Sequence, residues 1–141
     1  MASDTLADLV DNLMDILIGS RDAVLRRRTA SSIGETGDRV VTTSKSGKVL
    51  VEALDRDFGL IIIDTFVQGL DGRETLTILR QVRPRATVLY LHRSEEDVSN
   101  LESSGGGRLG TLVRTAGKSE LIAKVKKLTS RGPESEIVSQ E

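Results

Sequence analysis

The stretch from residue 59 to residue 72 constrains this chain more than any other part of the sequence. Four consecutive apolar residues, Leu60 to Ile63, lead directly into Asp64, and a glycine-containing turn follows. An unbroken apolar run has no polar face, so it predicts a strand that is buried on both sides. Such strands lie in parallel sheets covered by helices, where ligands collect at the carboxyl ends of the strands. The pattern therefore predicts Asp64 at the functional edge of an α/β sheet.

The composition excludes several classes of function. The formal net charge of the 141 residues is -1, so no overall field draws the chain to nucleic acid or to an acidic membrane. Aromatic residues make up 2% of the chain, too few for a base-stacking surface, and the absence of cysteine excludes disulfides and thiolate sites. No apolar stretch approaches the ~20 residues of a membrane span, and no basic signal region is present. We expect a cytoplasmic protein without nucleic-acid or membrane partners.

Strand-like and helix-like segments alternate five times along the chain. The predicted strands cover residues 14–18, 39–43, 60–63, 87–91 and 110–114. The predicted helices cover residues 23–33, 46–57, 73–82, 95–102 and 118–130. This alternation predicts a parallel sheet with helices on both faces and right-handed crossovers. The fold class is therefore a flavodoxin-like α/β three-layer sandwich over residues 13–130, with five parallel strands in the order 2-1-3-4-5.

The apolar residues of the predicted helices indicate which side of each helix faces the sheet. In the third helix Leu76, Leu79 and Val82 are spaced three residues apart, and in the second helix the apolar side consists of Val49, Leu50, Ala53 and Leu54. A helix of a globular protein packs such a stripe against the core. We expect these side chains to be buried.

The two ends of the chain lie outside the repeated pattern. Residues 1–12 form an N-terminal extension with helical periodicity. Apolar residues at helical spacing alternate there with acidic ones, namely Leu6, Leu9, Val10 and Leu13 with Asp4, Asp8 and Asp11. This extension is interpreted either as a loosely docked terminus or as an arm that covers a partner or a second copy, which makes a homodimer possible. Residues 131–141 show no periodicity, so we expect a disordered tail.

From Met14 to Ser130 the chain resembles the receiver domains of response regulators, the CheY-like family of two-component phosphorelay systems. Three stretches carry the resemblance, and they cover residues 16–26, 60–72 and 109–128. The stretch over 60–72 is the most specific, because it matches the strand and loop that hold the family's phosphoacceptor. The resemblance implies a signalling protein in which Asp64 stands at the phosphoacceptor position.

The other functional positions of the family carry different residues here. In the family, two acidic residues after the first strand hold Mg²⁺, a Thr or Ser and a Lys bind phosphoryl oxygens, and an aromatic residue on the fifth strand switches position. The substitutions at these positions are Ser20 and Arg21 for the acidic pair, His92 for the Thr or Ser, Arg114 for the Lys, Thr115 for the proline after it and Thr111 for the aromatic.

These substitutions change what Asp64 is expected to do. Mg²⁺ prefers carboxylate and water oxygens, and Ser20 with Arg21 leaves Asp64 as the only strong ligand. Arg21 also places a fixed positive charge where the metal would bind. Our hypothesis is that Arg21 and Arg114 pair with Asp64 in a fixed ion-pair network, without metal or cofactor. Mg²⁺ would be needed only if Asp64 were phosphorylated.

Two neighbours of this pocket have simpler interpretations. Asp22 lies one position after the acidic pair, and its carboxylate is predicted to cap the first helix. His92 is predicted to lie in the loop after the fourth strand, either as a polar surface group or as a pH-sensitive partner of Asp64. It has no second His or Cys with which to form a metal site.

The sequence predicts a single-domain pseudo-receiver signalling protein that acts by protein–protein interaction and is not an enzyme. Its partner would be another signalling protein, either a histidine kinase or a downstream effector. Two alternatives stay open. One is a working receiver that a histidine kinase phosphorylates on Asp64. The other is a small α/β nucleotide-binding protein, which is disfavoured because no Gly-rich phosphate loop follows the first strand.

Overall fold

The computed structural model describes residues 14–35, 38–94 and 108–129. The strands in these ranges are β1 Asp15–Gly19, β2 Arg39–Thr43, β3 Leu60–Asp64, β4 Val88–His92 and β5 Leu109–Val113. The helices are α1 Ala23–Gly34, α2 Ser46–Asp55, α3 Gly72–Val82 and α4 Lys118–Thr129. The predicted N-terminal extension, the predicted helix over 95–102 and the predicted tail over 131–141 lie outside the described residues. Within those ranges, no helix is long and apolar enough to cross a membrane.

The five strands form one parallel sheet in the order β2-β1-β3-β4-β5, which confirms the predicted flavodoxin-like topology. The central strand β3 is buried at all five positions, as its apolar run predicts. Ile62 pairs in register with Ile18 of β1 on one side and with Leu89 of β4 on the other. Because all strands run the same way, their carboxyl ends meet at one edge of the sheet, and Asp64 lies there.

Two apolar layers hold the helices on the sheet. On one face Ile16, Ile18 and Ile62 pack with residues of α1 and α4, which include Leu25 and Leu121. The alternate residues of the same strands point to the other face, as the twofold period of a strand requires. There Leu17, Ile61, Ile63 and Tyr90 pack with Val49, Leu76 and Leu79 of α2 and α3. The result is the predicted three-layer sandwich.

Two residues predicted to be buried are exposed instead. Val49, Leu76 and Leu79 are buried as expected, but Leu54 is 55% exposed and Val82 is 40% exposed. Successive residues of a helix are about 100° apart, so Leu54 lies off the stripe that buried Ala53 shares with Val49. Val82 is the last residue of α3, where the helix ends. The prediction was therefore wrong for both residues.

Two caps place the helices that border the functional edge. Asp22 accepts hydrogen bonds from the backbone N–H groups of Val24 and Leu25, both at 3.1 Å, which confirms the predicted cap of α1. Asp71 and Glu74 form a reciprocal capping box at the start of α3. Gly72 is required there because a Cβ atom would lie 2.3 Å from the carbonyl oxygen of Asp64. The start of α3 therefore lies directly against the end of β3.

Candidate functional site

The candidate site lies at the carboxyl edge of the sheet, around the carboxylate of Asp64. Asp64 ends β3, Ser20 follows β1, and Arg114 follows β5, so the parallel topology brings the three residues to one place. The Asp64 side chain is fully buried. A buried carboxylate is strongly destabilising unless hydrogen-bond donors and a positive charge compensate it. The contacts of Asp64 supply both.

Arg114 binds Asp64 through two parallel hydrogen bonds. Its Nε donates to Oδ1 at 2.7 Å, and its Nη2 donates to Oδ2 at 2.9 Å. The hydroxyl of Ser20 donates a third hydrogen bond to Oδ2 at 2.7 Å. A two-pronged Arg–carboxylate pair is among the strongest and most directional contacts in proteins. Both oxygens of Asp64 are therefore engaged by side chains of the chain itself.

Asp22 adds a second carboxylate to the same arginine. Nη2 of Arg114 lies 3.2 Å from Oδ2 of Asp22, while Oδ1 of Asp22 caps α1. The hydrogen bond to Asp64 is the main reason that the pKa of Arg114 is raised above its ordinary value. The pKa of Asp22 is lowered, first by the N–H group of Leu25 and also by Arg114, against an opposing effect of burial. One guanidinium thus links two acidic groups and the start of a helix.

Three guanidinium groups, including that of Arg114, lie around the ring of Phe66. The centroid of the ring lies 4.8 Å from the guanidinium carbon of Arg114, 5.4 Å from that of Arg93 and 5.5 Å from that of Arg21. Cations are attracted to the face of an aromatic ring at such distances. The half-buried ring therefore lies against the guanidinium that pairs with Asp64.

The hypothesis that both arginines pair with Asp64 holds for Arg114 and is wrong for Arg21. Arg21 is exposed, and among the described residues it forms no ion pair with Asp64. The reason lies in the backbone, because the N–H of Arg21 donates to the carbonyl of Phe66 at 2.8 Å. This bond fixes Arg21 beside Phe66, and its side chain then lies over the ring.

His92 occupies a different place from the predicted loop. It is the last residue of β4 and is 6% exposed, so it is a buried strand residue. Its Nδ1 atom has no hydrogen-bond partner within the part of the chain that the structure describes. Leu91 pairs in register with Asp64, and successive strand residues alternate faces, so His92 points away from the side of Asp64. The interpretation as a pH-sensitive partner of Asp64 is therefore not supported.

Thr111 and Thr115, which stand at two functional positions of the family, lie in two different environments. Thr115 is exposed in the turn after Arg114. Thr111, at the position of the switch aromatic, is partly buried and pairs in register with the buried Tyr90 of β4. The Tyr90 hydroxyl lies 2.9 Å from the hydroxyl of Thr65, which follows Asp64. The aromatic residue that contacts Thr65 is thus on β4 rather than on β5.

Sequence reasoning missed Thr65, Phe66 and Tyr90 as parts of this edge. The signal for Thr65 and Phe66 was their position directly after Asp64, and Tyr90 was one of only three aromatic residues in the chain. Their partners across the sheet could not be assigned before the register was known.

The residues at this edge do not fit the Mg²⁺ ion that the fold family implies. Ser20 and Arg21 stand where carboxylate ligands would be needed, and the oxygens of Asp64 already bind Arg114 and Ser20. Mg²⁺ requires several oxygen ligands in octahedral geometry. In the described part of the chain, no three His, Cys, Asp or Glu side chains form a group that could hold a metal.

No family model matches the sequence. Among curated proteins, the transcriptional regulatory protein TcrA of Mycobacterium tuberculosis is 28% identical over 119 residues. The match covers 84% of this chain and 47% of TcrA, so the chain spans about half the length of the curated relatives it matches.

Solved structures show the same fold at low sequence identity. A two-component response regulator from Clostridium difficile superposes with a TM-score of 0.71 at 22% identity and covers 83% of this chain and 96% of its own. The chemotaxis protein CheY4 of Vibrio cholerae superposes with a TM-score of 0.72 at 19% identity, over 82% of this chain and 98% of its own. The chain therefore has the CheY-like fold of response-regulator receiver domains, as the sequence predicted.

Proposed function

We propose that this chain is a pseudo-receiver, a signalling domain that acts by binding another protein and does not use Mg²⁺-dependent phosphorylation of Asp64. The observation that carries the proposal is the occupation of both Asp64 oxygens by Arg114 and Ser20. A guanidinium here supplies the positive charge that a metal ion supplies in a working receiver. Because the guanidinium of Arg114 is part of the chain and cannot dissociate as a metal ion can, the site has a single state in this proposal.

The energetics of the ion pair disfavour phosphoryl transfer to Asp64. A carboxylate nucleophile needs a free lone pair directed at the phosphorus, and the transfer depends on a cation that offsets the charge of the phosphoryl oxygens. Separating a buried carboxylate from its partner costs about 3–5 kcal/mol. A penalty of about 3 kcal/mol alone slows a reaction by about a hundredfold. The substitutions at Ser20 and Arg21 remove the metal ligands in addition.

A domain with one fixed state binds its partner through the domain's own surface. We infer a second signalling protein as the partner, either a histidine kinase or a downstream effector, in the cytoplasm. In this proposal the domain is not an enzyme, has no cofactor, and contacts neither nucleic acid nor membrane. The relative TcrA is named a transcriptional regulatory protein, which supports a regulatory role for this domain.

The alternative to a pseudo-receiver is a working receiver. It is supported by Asp64, which ends β3 and which the resemblance puts at the phosphoacceptor position. The nucleotide-binding alternative has less support. Only residues 20–22 separate β1 from α1, which is too short for a Gly-rich loop that wraps around phosphates.

Treatment with Mg²⁺ and acetyl phosphate, followed by measurement of the intact mass, tests the proposal. We expect no phosphoryl adduct on the wild-type chain. We also expect none on Arg21→Asp, because Arg114 still holds Asp64 in that variant. The triple variant Ser20→Asp/Arg21→Asp/Arg114→Lys restores the acidic pair and the lysine and should gain an adduct.

The matched control is the same triple variant with Asp64→Asn, which should gain no adduct. Stoichiometric phosphorylation of Asp64 in the wild-type chain would contradict the proposal and support the working receiver. Phosphorylation of Arg21→Asp alone would show that Arg21, rather than Arg114, disables the site.

A further inference from the structure

We propose that a basic apolar groove at the amino-terminal edge of the sheet holds the chain's own acidic N-terminal segment, residues 1–13. The groove lies at the opposite end of the strands from Asp64. The proposal therefore does not depend on whether Asp64 is phosphorylated.

The groove lies between the ends of α2 and α3 and the loops that lead into β3 and β4. Its volume is about 410 Å³, and its apolar wall includes Ala53, Phe58, Val82 and Pro84. A cavity of this size accommodates a few large side chains of a peptide rather than a single water. It is wide enough to receive one face of a short helix or an extended segment.

Two exposed apolar side chains lie at or next to the groove. Val82, which is 40% exposed, lines it, and Leu54, which is 55% exposed, directly follows the lining residue Ala53. Leu54 and Val82 are also the residues that the helical pattern predicts to be buried. Clustered exposed apolar residues mark contact surfaces more often than isolated ones do. The pattern is therefore consistent with burial by a segment other than the sheet.

The rim of the groove is positively charged. Arg56, Arg83 and Arg85 line it together with Asp57. The neighbouring Asp15 pairs with Arg56, so three arginines face two carboxylates. Arg83 is fixed in place, since its Nε donates to the carbonyl of Ala53 at 2.8 Å and its Nη1 lies 3.2 Å from Asp57. Arg56 lies over the ring of Phe58, 4.8 Å from its centroid. An apolar floor with a fixed cationic rim matches an amphipathic segment that carries carboxylates.

The chain enters the described structure beside this groove. A Cβ atom on Gly59 would lie 2.7 Å from Sδ of Met14, so Met14 packs directly against the residue after Phe58. The backbone N–H of Gly59 donates to the carbonyl of Asp15 at 2.9 Å, and Arg56 pairs with Asp15 at 3.5 Å. Met14, to which residues 1–13 are joined, therefore lies next to the rim.

The composition of the tethered segment complements the groove. Its apolar residues at positions 6, 9, 10 and 13 are spaced as on one side of a helix. Of its three aspartates, Asp4 precedes them and Asp8 and Asp11 fall between them. Thirteen residues in a helix span about 20 Å, comparable to a small domain's sheet edge. A short tether also gives millimolar effective concentrations, which makes docking within one chain easier than docking between chains. The chain's own segment is thus the occupant that the tether and the charges favour.

Tryptophan fluorescence of the full chain provides the test, because the natural sequence contains no tryptophan. Val82→Trp places a single reporter in the wall of the groove. If residues 1–13 cover the groove, the emission is blue-shifted and protected from acrylamide. Adding Leu6→Asp and Val10→Asp removes two apolar contacts and should lower the docked-to-undocked ratio at least about tenfold. The emission should then shift to the red, with increased quenching.

The matched control adds the same two negative charges outside the apolar spacing, through Ala7→Asp and Asn12→Asp. The reporter should keep its emission and protection in this control. A second reporter, Val24→Trp on α1, should be equally accessible in all backgrounds.

Three results would overturn the proposal. The first is an unchanged emission of the Val82→Trp reporter when Leu6 and Val10 are replaced by Asp. The second is an equal red shift with the Ala7→Asp/Asn12→Asp control, which would indicate a charge effect without apolar docking. The third is protection that appears only at concentrations where light scattering gives the mass of a dimer, because a second copy would then fill the groove.

Discussion

Replacing Arg114 by methionine tests the ion pair that dominates the candidate site. The substitution keeps most of the length of the side chain and removes both hydrogen bonds to Asp64. Asp64 is then left fully buried and charged, with only the Ser20 hydroxyl as a donor in place of three hydrogen bonds. Removing one partner of a buried ion pair destabilises a protein by about 3–5 kcal/mol. With a urea m-value of about 2 kcal/mol/M, the midpoint of unfolding should fall by about 1.5–2.5 M.

The assay is urea unfolding followed by far-ultraviolet circular dichroism, because the chain contains no tryptophan. A double-mutant cycle separates the ion pair from local packing. In the Arg114→Met background, Asp64→Asn removes the buried charge and should restore about 2 kcal/mol or more of the free energy of unfolding. A loss below about 1 kcal/mol for Arg114→Met would refute the reasoning, since so small an effect is typical of an exposed ion pair. A double variant less stable than Arg114→Met would refute it as well.

Two further predictions concern the elements that frame the site. The pKa of Asp22 is lowered in the folded state, so its stabilising charge is fully present above its unfolded pKa of about 3.9 and is lost as the pH falls through the folded value. The Asp22→Asn variant should therefore be less stable than the wild type by about 0.5 kcal/mol at pH 7, a small effect because the Asp22 side chain is 41% exposed and solvent screens its charge. Urea midpoints should show this difference shrinking below about pH 4. Gly72→Ala should cost about 1–3 kcal/mol because its Cβ would meet the carbonyl oxygen of Asp64, whereas Gly47→Ala, which has open space inside α2, should stabilise by about 0.5–1 kcal/mol. Thermal unfolding that moves in the same direction for both alanine variants would contradict this account.

The fold could be predicted because its central strands carry the strongest local signals. The run from Leu60 to Ile63 has no polar face, and only a strand covered on both sides accommodates it. The five strands therefore lie within about a residue of their predicted bounds, and alternation with helices leaves few possible topologies. The cap at Asp22 was equally local, since a carboxylate before a helical pattern interacts only with the next few residues.

The candidate site could be predicted only in part because its contacts are tertiary. The sequence placed Arg21 and Arg114 at loop ends near Asp64, but it held no information about which guanidinium reaches the carboxylate. That choice depends on the hydrogen bond between the backbone of Arg21 and Phe66, which joins residues 45 positions apart in the chain.

His92 and Leu54 show the two other sources of error. A strand that ends one residue later than predicted turns His92 from a loop residue into a buried one. The outcome for His92 depends on an element boundary, which local patterns define only to within a few residues. Leu54 lies about 100° from the buried residue Ala53 around α2, so it is exposed although it belongs to the same apolar segment.

The side-chain Nε–H signal of Arg114 in a ¹H–¹⁵N NMR spectrum tests the central claim most directly, because this proton forms the 2.7 Å bond to Asp64. The signal can be assigned by its absence in Arg114→Lys. We predict a sharp signal that exchanges slowly with water and does not move when Mg²⁺ and acetyl phosphate are added. A signal that exchanges as fast as that of an exposed arginine, or that shifts on addition of Mg²⁺ and acetyl phosphate, would contradict the account of Asp64 as a carboxylate permanently held by Arg114.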